Sequence, residues 1–168
     1  MQSQPTILIL MGVSGSGKTT VGRLLAQDVG WKHFDADDFH PAANIERMKR
    51  GLPLNDADRE PWLLRLRAVI TSCLERNERA VLSCSALKES YRSVLTIDER
   101  VQLVYLQGSS DLIKQRLSNR SDHYMNPVLL DSQFDTLEEP ANSLRIDISA
   151  PPGKIVAVIR EHFGLETS

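Results

Sequence analysis

Eight residues near the start of the chain carry the strongest chemical signal. Gly12-Val13-Ser14-Gly15-Ser16-Gly17-Lys18-Thr19 fits the phosphate-loop pattern G-x-x-x-x-G-K-[ST] at every fixed position. Glycines at 12, 15 and 17 allow the backbone to curl so that its N–H groups point inward at phosphate oxygens. A helix starting here adds a dipole that favours anions. Lys18 is placed to reach β- and γ-phosphates, and the Thr19 hydroxyl to ligate Mg²⁺. The expected nucleotide contacts are Gly12, Ser14, Gly15, Ser16, Gly17, Lys18, Thr19 and Thr20. A glycine-rich turn with an incidental lysine is the plainer alternative, and the flanking strand and helix argue against it.

A second constellation is Asp35-Ala36-Asp37-Asp38. Asp35 and Asp37 alternate across the end of a short strand, so one of them faces the phosphates if the strand persists. One carboxylate could hold magnesium and the other orient an acceptor hydroxyl and take its proton late. Aspartates capping the next helix are the structural alternative. Arg116 and Arg120, four apart, share a helix face and suit a lid bringing positive charge to a nucleotide, or simply a solvated surface. Cys84 reads as a small buried residue rather than a nucleophile.

The elements that must position these groups follow from the apolar pattern. Continuous apolar runs at Thr6 to Met11, Ala80 to Cys84 and Val101 to Leu106 predict buried parallel strands. Shorter strands are expected at Trp31 to Asp35 and Arg145 to Ser149. Val21, Leu24, Leu25 and Val29 recur at helical spacing, with Gly30 placed to end the helix. Further helices are predicted over Ala43 to Arg50, Trp62 to Arg76 with Pro61 in its first turn, Asp111 to Asn119 and Lys154 to Phe163. The polar segment from Phe39 to Pro61 otherwise reads as loop. Strands alternating with helices predict an α/β fold, a parallel β-sheet flanked by helices on both faces, in one domain over residues 1–168.

Composition excludes several classes. A net charge of -2 with scattered basic residues gives no footprint for nucleic acid. Two cysteines are too few for a disulfide framework or zinc site, and the expected setting is reducing and cytoplasmic. The apolar run Ile7 to Met11 is too short for a signal-peptide core with its flanks or a membrane span. No D-x-x-G switch is present, which argues against a GTPase.

From Asp35-Ala36-Asp37-Asp38-Phe39-His40-Pro41 onward, the sequence resembles the gluconate kinase family. The likeness continues through Asn44-Ile45, Gly51-Leu52-Pro53-Leu54-Asn55-Asp56, Asp58-Arg59 and Pro61-Trp62-Leu63. Cys84-Ser85-Ala86-Leu87-Lys88, Tyr91-Arg92, His123-Tyr124-Met125 and Ser132-Gln133-Phe134 extend it over nearly the whole chain. The resemblance implies a P-loop nucleoside-kinase-like three-layer sandwich, similar to shikimate kinases, with a mobile lid and a homodimeric assembly. It implies ATP and Mg²⁺ as cofactors and transfer of the γ-phosphate to the 6-hydroxyl of D-gluconate. By the same likeness Lys18, Asp37 and Arg120 are catalytic, Asp35 joins Thr19 at the metal, and Arg116, Arg120 and Pro152 border the nucleotide. The segment at about 38–62 would bind substrate and that at about 116–136 would form the lid. The anionic, hydroxylated acceptor calls for a cation and short polar groups. Arg59, Lys88 and Arg92 are the cations, with Arg59 first, and His40 and Asn44 are candidates for the hydroxyls. Ala36, Arg47 and Asp122 depart from the family pattern. A kinase of another small hydroxy acid, and a nucleotide-binding regulator without phosphotransfer, are the alternatives.

Overall fold

A computed structural model describes residues 3–119 and 127–168. The described residues form five strands: β1 (Ile7–Met11), β2 (Lys32–Asp35), β3 (Ala80–Ser83), β4 (Val101–Gln107) and β5 (Leu144–Asp147). They make one sheet in the order β2-β3-β1-β4-β5, with every neighbouring pair parallel. Helices α1 (Lys18–Val29), α2 (Ala42–Lys49), α3 (Asp56–Arg76), α4 (Glu89–Leu95), α5 (Ser110–Ser118), α6 (Pro127–Thr136) and α7 (Pro152–Phe163) connect and flank them.

The central strand shows why the sequence folds as three layers. All five residues of β1 are buried, and successive side chains point to opposite faces. Leu8 and Leu10 join a core with Val21 and Leu25 of α1, Ile113 of α5 and Ile155 and Ile159 of α7. Ile7, Ile9 and Met11 join the opposite core with Trp62, Leu66 and Ile70 of α3 and Tyr91 and Leu95 of α4. A strand apolar on both faces therefore demands a helical layer on each. Gly30 ends α1 in the left-handed conformation at φ 72°, with its N–H on the Ala26 carbonyl.

Four elements differ from expectation. Helix α3 begins at Asp56, six residues ahead of Trp62, because Asn55 and Asp58 form a reciprocal capping box. Pro61 thus lies inside the helix rather than in its first turn. Residues 127–136, unassigned in the sequence pattern, form α6, and residues 89–95 form α4. Strand β2 stops at Asp35, and Ala36–Phe39 follow as a 3₁₀ turn. The alternation expected of Asp35 and Asp37 therefore does not apply. Among the described residues, no helix is long and apolar enough to cross a membrane.

Candidate active site

The phosphate loop sits between the end of β1 and the start of α1. Gly12, Gly15 and Gly17 take φ of 152°, 82° and 95°, values that side-chain-bearing residues avoid. At Gly12 a Cβ would also come within 2.8 Å of the Leu106 carbonyl oxygen. Helix α1 is capped by Gly17 with no side-chain hydrogen bond and no acidic residue in its first turn. Its N-terminal N–H groups are thereby oriented for an anion.

A cleft of about 530 Å³ opens over this loop. Ser14, Gly15, Gly17, Lys18, Thr19 and Thr20 line its floor. Gly12 does not line it, and Ser16 is buried; both serve the inner side of the turn. The Lys18 ammonium donates to the carbonyls of Gly12 (3.0 Å) and Val13 (2.9 Å). Desolvation pulls its pKa below the ordinary lysine value, and Asp37, Cys84 and Asp35 oppose that shift.

Asp35 and Asp37 both line the cleft, brought together by the 3₁₀ turn. Asp35 does two things at once. Its Oδ2 accepts from the Thr19 hydroxyl at 2.8 Å, and its Oδ1 accepts from the Asp37 N–H at 3.0 Å, capping the turn. The hydroxyl and carboxylate pair is a hard-oxygen donor set of the kind Mg²⁺ takes alongside phosphate oxygens and water. The cysteine beside them is inert: burial pushes the Cys84 thiol up to about 12.

The opposite wall carries His40, Met48, Leu54, Arg59 and Trp62. The His40 ring stacks on Trp62 at 4.3 Å with planes 10° apart. Trp62 is itself fixed by its indole N–H on the Ala36 carbonyl at 2.7 Å. Asn44 Nδ2 donates to the Asp58 carbonyl at 2.8 Å, which sets the amide's orientation. The same nitrogen lies 3.2 Å from His40 Nδ1, so Nδ1 accepts and the ring proton sits on Nε2. Desolvation, with Arg59 as the second cause, lowers the His40 pKa to about 4. The ring is neutral at neutral pH.

Arg59 is held by the Leu54 carbonyl and by the Tyr91 hydroxyl at 3.1 Å. With Lys18 it supplies the positive charge among the described lining residues. The other expected acceptor cations are not brought to the cleft. Lys88 pairs with Asp56 at 3.0 Å, and Arg92 is buried with its guanidinium on the Ala86 and Leu87 carbonyls. Arg92 instead secures a bend where Ala86 takes φ 45°, next to Ser85 and Leu87 of the lining. Asn44 likewise stays behind the wall and acts on the cleft through His40.

On the nucleotide side, Arg116 donates to the Ile148 carbonyl, and exposed Pro152 starts α7. Neither lines the cleft. Arg120 lies outside the described residues. Sequence reasoning did not single out Trp62, Ser83, Ser85, Ser132, Gln133 and Thr136, which also line it. They come from α3, β3, the loop after β3 and α6, and for Trp62, Ser85, Ser132 and Gln133 the only signal was their presence in family-like motifs.

The Shikimate kinase family model matches residues 14–146. A probable gluconokinase from Xenopus tropicalis is 42% identical, covering 91% of this chain and 90% of its own. The thermosensitive gluconokinase of Escherichia coli (strain K12) is 44% identical, covering 84% of this chain and 78% of its own. The crystal structure of a gluconokinase from Sinorhizobium meliloti 1021 superposes with a TM-score of 0.85 at 36% identity, covering 97% of this chain and 94% of that one. The nucleotide-binding loop, the parallel three-layer fold and this similarity along most of the sequence agree, and the chain belongs to the gluconokinase family of P-loop kinases.

Proposed function

We propose that this protein transfers the γ-phosphoryl group of ATP to the 6-hydroxyl of D-gluconate, giving 6-phospho-D-gluconate. The observation that carries this reading is a single cleft with the phosphate loop on its floor and Asp37, His40 and Arg59 around its acceptor side. Phosphoryl transfer passes through a loose transition state, so the protein's work is positioning and charge stabilisation. Lys18 supplies positive charge to the β- and γ-phosphates. Asp37 orients the 6-hydroxyl and receives its proton as the O6–phosphorus bond forms and the bond to the ADP oxygen breaks. Thr19 and Asp35 would hold Mg²⁺, which neutralises charge on the transferring phosphoryl group when bound. Arg59 binds the acceptor carboxylate, and the Nε2–H of neutral His40 donates to one of its hydroxyls. By family likeness Arg116 and Pro152 are assigned to the nucleotide, as is Arg120, which lies outside the described residues. A homodimer is carried by family likeness alone, and a cytoplasmic location by the low cysteine count.

The test is a coupled ADP-release assay with Mg-ATP against D-gluconate, other aldonic acids, shikimate and neutral sugars. Turnover selective for D-gluconate is expected. Turnover on a different acceptor alone would reassign the substrate, and none on any acceptor would favour a binding-only protein.

A further inference from the structure

Among the hydrogen bonds that tie the phosphate loop to distant parts of the chain, one reaches α6. The backbone N–H of Ser14 donates to the side-chain carbonyl of Gln133, on α6, at 2.7 Å. Both residues line the cleft. Helix α6 is also tied to the acceptor side of the cleft. Leu129 is buried with Met48 and Leu54 in a small apolar cluster on the acceptor side. Just past the helix, the Glu138 N–H donates to the Leu87 carbonyl at 2.8 Å, beside the bend that Arg92 secures.

We propose that Gln133 is a positioning residue for phosphoryl transfer. Its carbonyl pins the Ser14 amide of the donor loop, so that α6 holds the donor loop and the acceptor wall in one register. In-line transfer depends on this alignment, and misplacement by about 1 Å can cost on the order of 10² in rate. The chemistry of the side chain fits the task. A glutamine supplies an acceptor for a loop N–H without adding negative charge where phosphates bind, which a glutamate would do. A purely packing role would be filled as well by an apolar side chain of equal length.

This inference rests on the kinase reading, and wild-type turnover on D-gluconate in the same assay separates the two. If the wild type fails, the reaction is wrong; if only the variants disagree, this inference is wrong. The experiment compares the full chain with Q133M, which keeps the length but lacks the acceptor, and Q133E, which keeps an acceptor and adds a charge. With Q133M, kcat at saturating ATP and D-gluconate should fall about 10- to 100-fold, with both KM values within about threefold and Tm unchanged. With Q133E, kcat should return to within about fivefold of wild type while the KM for ATP rises about tenfold, through repulsion between carboxylate and phosphates. Wild-type kcat in Q133M, a loss of kcat that tracks a fall in Tm, or a Q133E as slow as Q133M would each overturn the proposal.

Discussion

The floor and the acceptor wall of the cleft are built by opposite strategies. The floor is a run of nearly consecutive residues, and its geometry is set locally by three glycines and a helix start. The wall is assembled from side chains far apart in sequence. His40 follows the 3₁₀ turn, Arg59 and Trp62 come from α3, and Leu129 and Gln133 come from α6. Backbone recognition of phosphate tolerates little variation in the loop. Side-chain recognition of an acceptor depends on supports behind the wall, such as Asn44 for His40 and Tyr91 for Arg59. The difference teaches that the donor half should fail by losing a single group, whereas the acceptor half should fail by losing a support as readily as a contact.

The largest effect should come from the floor. If Lys18 meets the transferring phosphate as proposed, Lys18→Ala should lower kcat by at least about 10²–10³-fold, measured by ADP release. Its thermal transition should not fall, because the ammonium is desolvated in the fold. Asp37→Ala stands where floor and wall meet. It should cut kcat by on the order of 10²–10⁴ while ATP binding, followed calorimetrically, stays close to wild type. Full activity in either variant would break the division between the two halves.

On the wall, Arg59→Ala should raise the KM for D-gluconate by roughly 10- to 100-fold, the loss of a charge-assisted hydrogen bond worth about 1.5–3 kcal/mol. Lys88→Ala is the contrast. Its pair with Asp56 is a surface one, with 32% and 67% of the two side chains exposed, and the KM should change by less than about threefold. Equal effects from the two would mean that the wall's charge is not set by which cation lines the cleft.

The smallest effect concerns pH and stability. The folded protein holds His40 near a pKa of about 4, below its ordinary value of 6.5. Between these values the unfolded chain binds the proton and the folded one does not, so stability rises with pH across this window. The contribution is complete above about 6.5 and is lost as pH falls toward 4. His33, also lowered chiefly by desolvation, acts in the same direction. Tm measured from pH 4 to 7 should climb, and His40→Gln should flatten the slope without abolishing it.

Legibility in the sequence follows the same division. The three inner strands were readable because each contains a contiguous apolar run, and β1, β3 and β4 fall where those runs fall. Helix α1 was readable from its periodicity and from Gly30. Helix α6 was not, because only Leu129 and Leu130 of the described positions are buried and its cleft face is polar. The start of α3 was obscured by Pro53 and Pro61, which punctuate a segment that a capping box nevertheless makes helical. Arg92 illustrates the limit for sites. An arginine in a family-like motif looks the same whether it faces substrate or, as here, anchors two backbone carbonyls.

By itself the sequence determined the donor chemistry, because phosphate binding needs glycines, a lysine and a hydroxyl at fixed short spacing, and such local geometry is written in adjacent residues. It also determined the layered α/β architecture, because a strand apolar on both faces must be covered on both. Only the tertiary structure decided which of the three candidate cations lines the cleft, which tautomer His40 adopts and which helix spans the two halves. Those outcomes depend on burial and on partners tens of residues away, such as the 119 positions that separate Ser14 from Gln133, and no local pattern records them.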